Sequence, residues 1–293
     1  MAQIYRRRPL RGLTSLLLLL PSVSFVVPFR GERAGSTRRC VQEKDEESNL
    51  ASKEKLFKAI EIFQEELNRT SNLSIDFGVK GGELDEKDRA PTNLVSNGAF
   101  HRASPALGKA AEAVLQEVEA LKGGVAEPLK EFGTAKGSRC PLHGAWRLRF
   151  TTAADATFTR NSSRGTAKVS NVVDAVKGCV TNCIDFDTPA AAECLRVRLT
   201  AEAETPTRLG LAFRYVKIRL TKFLGISLAQ RRLTLQLPVP GPFLTRIITF
   251  FTRKSPPKPY FEILYLDHDL RVHKTGQGNV FVQEKMSLPP PYL

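Results

Sequence analysis

Metal-based or nucleophilic catalysis has no visible foothold in this sequence. The four histidines (His101, His143, His268 and His273) are scattered, with no H-x-x-x-H or C-x-x-C spacing to start a ligand set. There is no G-x-S-x-G elbow, no Walker loop and no dinucleotide fingerprint, so neither a catalytic residue nor a cofactor is expected. Cysteine is sparse and odd in number: Cys40, Cys140, Cys179, Cys183 and Cys194 lack the even, regular pattern of a disulfide-framed secreted domain. The longest apolar run, Leu13–Leu20 continuing past Pro21 to Val27, is short for a membrane span. There is one Trp in 293 residues, yet 42% of them are hydrophobic, which excludes collagen-like and wholly disordered chains.

Charge is plentiful but uneven. Half of the net +14 belongs to residues 1–39, where Arg6, Arg7, Arg8, Arg11, Arg30, Arg33, Arg38 and Arg39 oppose only Glu32. A basic start, an apolar run, and Ser22 and Ser24 spaced as a cleavage site make a signal-peptide pattern over 1–24. Residues 25–45 open on Phe25 and are at first rich in Arg, Ser and Gly, as in a transit peptide. Together they resemble the two-part leader of proteins bound for complex algal plastids; an uncleaved membrane anchor is the alternative. With half the basicity in a removable leader, the high pI is no argument for nucleic acid. Stacking platforms need exposed aromatics among cations, and only Phe213 and Tyr215 are so placed.

Beyond the leader, residues 40–50 are acidic and polar and read as a linker. Leu56, Ile60, Phe63 and Leu67 recur at helical spacing, predicting a helix from Ser52 to about Asn68. Residues 69–103, with Gly78, Gly81, Gly82, Pro91 and Gly98, read as a long loop. Ser104 and Pro105 are an N-cap and first-turn pair for a second helix, ended by Gly123 and Gly124. The sequons at Asn68, Asn72 and Asn161 are too short to carry weight.

From about residue 140 the period becomes two. Trp146, Leu148 and Phe150 alternate with Arg147, Arg149 and Thr151. Val180, Asn182, Ile184 and Phe186 share a face, and Leu195, Val197, Leu199 and then Leu233, Leu235, Leu237 repeat the pattern. Further strands are expected at 167–176, 211–221, 260–267, 270–274 and 279–285. So many one-faced strands without intervening helices predict a mainly β fold. The expected form is an antiparallel barrel of about eight strands with an N-terminal helical segment, closed to hide its edges. The expected division is a helical N-terminal region with a long loop at 46–135, a barrel domain at 136–286 and a tail at 287–293.

Leu142–Thr152 (LHGAWRLRFTT), Tyr265–Val272 (YLDHDLRV) and Gly278–Val282 (GNVFV) together resemble the opening strand and closing hairpin of the plastid lipid-associated proteins, the fibrillins. Val169–Phe186, with Gly178 and Asn182, is a looser match, and the resemblance spans about 105–285. It implies a lipocalin-like fold and binding of lipophilic molecules or lipid surfaces, not catalysis. Departures are Lys274-Thr275-Gly276, where the family has an Arg-Gly pair, and a helix-to-barrel connection without Asn-Pro.

Gly144-Ala145-Trp146 is a G-x-W at the first strand, as in lipocalins, where an Arg from a late strand covers the Trp. Arg271 is the matching cation, which makes Gly144, Trp146, Asp267, Asp269 and Arg271 candidates for structural closure. Asp267 and Asp269 read as a turn with local pairing, with a cation site the lesser alternative. Cys179 and Cys183, about 13 Å apart on a strand at ~3.3 Å per residue, cannot form a disulfide or share a zinc without a bend. Candidate barrel lining is Trp146, Leu148, Phe150, Ile184, Phe186, Leu233, Leu235 and Phe281. Phe243, Ile247, Phe250, Phe251, Arg253 and Lys254, between proline clusters, are candidates for a barrel-mouth lid or membrane contact. Arg214, Lys217, Arg219, Lys222, Arg231 and Arg232 form a basic zone.

The leading expectation is a non-catalytic plastid protein, at thylakoid or plastoglobule, that binds a prenyl lipid, carotenoid or acyl lipid or coats a lipid surface. Its partners are then a lipophilic small molecule or a membrane or plastoglobule surface; protein partners are unknown. An enzyme on an isoprenoid or fatty-acyl substrate predicts inward-facing Asp, Glu, Tyr or His at mid-strand with strongly perturbed pKa, and Asn182 is the one polar residue placed on an apolar face. A scaffold for a photosynthetic complex predicts an unburied Leu56, Ile60 and Phe63.

Overall fold

The computed structural model describes residues 34–70, 92–159, 165–187, 192–223, 226–228, 233–239 and 258–293. The chain divides into Met1–Gln42, of which only the opening turns of a helix are described, and Glu43–Leu293. That helix, α1 (Ala34–Arg69), begins well before Ser52, so residues 40–50 are helical and not a linker. The reason is local: no Gly or Pro lies between Gly35 and Gly78, and Gln, Glu and Lys are good helix formers despite their polarity. In the described part of the expected loop, a short helix α2 (Ala99–Ala103) precedes α3 (Pro105–Ala120). Ser104 takes the N-cap position with extended backbone and Pro105 opens α3, as the sequence predicts.

The strands are β1 (Gly144–Thr151), β2 (Ala167–Asp174), β3 (Cys179–Phe186), β4 (Ala192–Ala203), β5 (Arg208–Leu220), β6 (Lys222–Phe223), β7 (Ile226–Ser227), β8 (Leu233–Pro238), β9 (Tyr260–Leu266), β10 (Leu270–Thr275) and β11 (Val280–Met286). Eight of them form the ring β4-β3-β2-β1-β11-β10-β9-β5, shut by the β4–β5 pairing, so the expected antiparallel barrel is present. β8 pairs with the second half of β5 outside that ring, and among the described residues β6 and β7 pair with each other alone.

One sheet face carries Trp146, Asn171, Asn182, Arg271 and Gln283, and packs inward on Leu129, Phe132 and Leu142, which plug one end. The other face carries Tyr265, Leu270, Val272, Val280 and Val282 and receives α1 and α3. Leu56 and Ile60 have no exposed surface there, and covering each stabilises by about 1.5–3 kcal/mol. Phe63 meets Phe100 and Phe150 edge-on, at centroid distances of 5.4 and 4.9 Å. The helix face foreseen as a scaffold's docking surface is thus already occupied by the barrel.

The expected alternation of Trp146, Leu148 and Phe150 fails at one point. Leu148 lies opposite Gln283 but Phe150 lies opposite Val282, so a bulge at Arg149 switches the strand's faces. Phe150 therefore points to the helices, while Thr151 takes up the inward register opposite Phe281.

Candidate functional site

The plugged end is built around Trp146, which is fully buried and donates from Nε1 to Leu142 O at 3.0 Å. The guanidinium carbon of Arg271 lies 5.3 Å from the indole centroid and 5.8 Å from that of Phe261. Lys285 comes closer still, its Nζ at 4.2 Å, while donating to His143 O. Gly144 permits this: its φ is +128°, and a Cβ there would lie 2.7 Å from Lys285 Nζ. Sequence pattern pointed to one cation and missed the second, because only the β1–β11 register sets Lys285 opposite Trp146.

Asp267 is a turn-former and an anchor for α1. Its Oδ1 accepts from the backbone N–H of Asp269 and Leu270, and its Oδ2 from Lys53 Nζ and Tyr265 OH, each of those two at 2.8 Å. Burial alone raises its carboxyl pKa, but these donors hold it below the usual value. Burial, reinforced by Asp267, pushes the Tyr265 phenol up to about 12. Asp269 is half exposed, 3.7 Å from Lys53. Among the described residues no group of three or more His, Cys, Asp or Glu could hold a metal ion.

A row of polar side chains crosses the inward face. Arg271 donates from Nε to Gln283 Oε1 and from Nη2 to Asn171 Oδ1, both at 2.7 Å. Gln283 Nε2 also donates to Asn171 Oδ1, and Asn171 Nδ2 donates to Asn182 Oδ1 at 2.8 Å. Burial pushes Arg271 down to about 9, which leaves it charged at neutral pH. His273, held neutral by burial and by Arg271, stacks on Phe281 at 4.9 Å and meets Phe261 at a tilt, 4.7 Å between centroids. Of these, only Asn182 and Arg271 were singled out in the sequence. Asn171, Gln283 and His273 alternate with apolar neighbours and look like solvated positions until the register is known.

The remaining expected lining residues separate. Leu148, Ile184, Phe186 and Phe281 are on the inward face and half-buried. Leu233 and Leu235 lie on β8, outside the ring, opposite Leu220 and Ile218. Leu148, Phe150 and Phe186 are among the walls of a cleft of ≈ 830 Å³, whose lining also includes Phe63, Leu67, Phe158, Val169, Met286 and the tail Pro289–Tyr292. That tail is strapped down by basic side chains. Arg196 Nη2 donates to Pro291 O at 2.8 Å, Lys217 Nζ to Leu293 O at 3.1 Å, and Arg219 stacks on Tyr292 at 3.7 Å. Part of the basic zone thus serves the chain itself. Phe243, Ile247, Phe250, Phe251, Arg253 and Lys254, like Arg231 and Arg232, lie outside the described residues.

Cys140, Cys179, Cys183 and Cys194 are buried free thiols, and burial pushes Cys183 up to about 12. None has the lowered pKa of a reactive cysteine. Among the described residues no helix is long and apolar enough to cross a membrane.

The family model PAP_fibrillin matches residues 101–284, more than half of the chain, from α2 into β11 and including every barrel strand. No curated protein and no solved structure matches the chain.

Proposed function

Because this chain belongs to the PAP_fibrillin family, that of the plastid lipid-associated proteins, we propose that it is a non-catalytic plastid protein whose barrel shelters one lipophilic molecule. One observation supports this most directly. Leu148, Val169, Ile184, Leu195 and Val197 line the inside of a closed barrel and yet are only half-buried, whereas the residues at the Trp146 end are fully packed. Apolar side chains left accessible inside a barrel are the lining of a space, and a prenyl, carotenoid or acyl chain is the kind of molecule that fills one. Removing that apolar surface from water, at ~25 cal/mol per Å², is driving force enough without many polar contacts. The same reading places the protein at the thylakoid or plastoglobule boundary, where such molecules are found.

The test is extraction of the protein purified from its own plastid, followed by mass spectrometry of the organic phase. A single lipophile at near-stoichiometric amount supports sheltering. Lipid-free protein that sediments with galactolipid vesicles moves the function to the surface, where Phe213 and Leu237 are 42% and 52% exposed. Lipid-free protein that ignores vesicles overturns the reading.

A further inference from the structure

Among the described residues, the barrel interior holds a cation without a counter-ion. Arg271 is sealed from solvent, its acceptors Gln283 and Asn171 are neutral amides, and its buried Nη1 has no hydrogen-bond partner among those residues. The buried Nδ1 of His273, one inward position along β10, likewise has none. Lys285, on the same face, has its pKa lowered first by burial and then by Arg271, so the positive charges in this interior repel one another. The nearby strand carboxylates are engaged elsewhere: Glu284 with Arg149, Asp185 with Arg196, Glu262 with Arg208, Asp174 with Lys177 and Glu193 with Arg219. A buried charge ordinarily brings its partner with it.

The amides next to Arg271 carry its polarity outward. A guanidinium only donates, so Gln283 and Asn171 must turn their oxygens toward it. Asn171 then has its N–H₂ group facing away, and donates to Asn182 Oδ1. Asn182 is left with its own N–H₂ group, which donates to nothing among the described residues, at a half-buried position inside the barrel. The row therefore starts at a buried positive charge and ends at an accessible N–H donor, each bond polarising the next. Beside that donor on the inward face stand Ile184, Leu195 and Val197, apolar and half-buried.

We propose that the barrel selects amphiphiles with a monoanionic carboxylate head, which accepts from Asn182 while the acyl chain lies along Ile184, Leu195, Val197 and Val169. This rests on the sheltering function proposed above and adds the class of ligand. A single donor backed by one cation suits a carboxylate better than a phosphate, which takes several donors at once. A hydrocarbon or an ester takes the apolar lining equally well but does not answer the charge.

The experiment loads the full chain with the neutral dye N-phenyl-1-naphthylamine at pH 8 and displaces it with laurate, methyl laurate or 1-dodecanol below their aggregation concentrations. Laurate is expected to displace the dye at a concentration at least ten-fold lower than either neutral analogue. Asn182→Leu, close in size and half-buried, is expected to cut that preference to less than three-fold, and an undiminished preference in this variant overturns the assignment to Asn182. Arg271→Met removes the same preference if it folds, but the wild-type ratio and Asn182→Leu decide without it. Equal displacement by acid and ester overturns the carboxylate assignment and leaves sheltering intact. A chain that binds neither dye nor laurate overturns both.

Discussion

Replacing Phe63 by Ala tests whether α1 is an integral wall of the molecule. Phe63 is 4% exposed, and its ring meets Phe100 at 5.4 Å and Phe150 at 4.9 Å in edge-on geometry. Truncating a buried Phe to Ala costs about 3–5 kcal/mol, from lost transfer free energy and the cavity left behind. Each aromatic pair supplies roughly 0.5–1.5 kcal/mol of that. Phe63→Leu keeps most of the buried area and loses both pairs, so we expect a smaller loss of about 1–3 kcal/mol. Ile62, on the same helix but 49% exposed, is the control, and Ile62→Ala is expected to cost under about 0.5 kcal/mol. The assay is urea unfolding with an unchanged m-value, so that a shift in midpoint reads as stability. If Phe63→Ala costs no more than Ile62→Ala, α1 is not docked on β1, β10 and β11, and the outer core described above is wrong.

Gly144→Ala forces a Cβ into contact with Lys285 and a side chain onto a backbone at φ +128°, and is expected to destabilise by about 1–3 kcal/mol. An unchanged thermal midpoint refutes the packing of Lys285 on Trp146. Asp267→Asn removes the charge facing Lys53 and is expected to cost about 2 kcal/mol at pH 7. Because the folded carboxyl pKa lies below its unfolded value of 3.8, that stabilisation is complete above 3.8 and lost as pH falls through the folded pKa. The wild-type and mutant urea midpoints therefore converge in acid, and a gap that persists or widens there contradicts the assignment. In a Cys40→Ser chain, no thiol is expected to react with DTNB at pH 8 until the protein unfolds, since the other four are buried. Rapid labelling of the native chain refutes this.

The barrel was legible because each of its strands repeats one signal. An apolar face every second residue survives from β1 to β11 whatever the neighbours do, and the Leu142–Thr152 and Tyr265–Val272 segments add a family resemblance. What failed did so where a local rule met a tertiary one. Residues 40–50 look like a linker by composition, but composition does not end a helix across a stretch with no Gly or Pro. Phe150 alternates correctly with Trp146 on paper, and one extra residue opposite β11 sends it to the other side. A bulge leaves no mark in a run of alternating residues, so every position beyond it is assigned to the wrong face.

The interior network was illegible for a different reason. Arg271, Gln283, Asn171 and Asn182 come from β10, β11, β2 and β3, and none is unusual in its own strand. Gln283 and Asn171 look like outward polar residues, whereas Arg271 is matched to Trp146 by the lipocalin-like pattern and Asn182 stands out because its neighbours Val180 and Ile184 share its face. Those two are the visible ends of a row whose middle members, Gln283 and Asn171, emerge only through register. The enzyme alternative expected an inward Asp, Glu, Tyr or His at mid-strand with a strongly perturbed pKa, and His273 is such a group. Its surroundings, and those of Arg271, bear on the choice between chemistry and recognition. Among the described residues, His273 has no acid or hydroxyl on its buried Nδ1, and Arg271 has no carboxylate to share a proton with. General acid–base work requires a group that can change its protonation near neutral pH. Here one group is held neutral and the other charged. A fixed charge with oriented amides is suited to orienting a headgroup, which is the binding role proposed above.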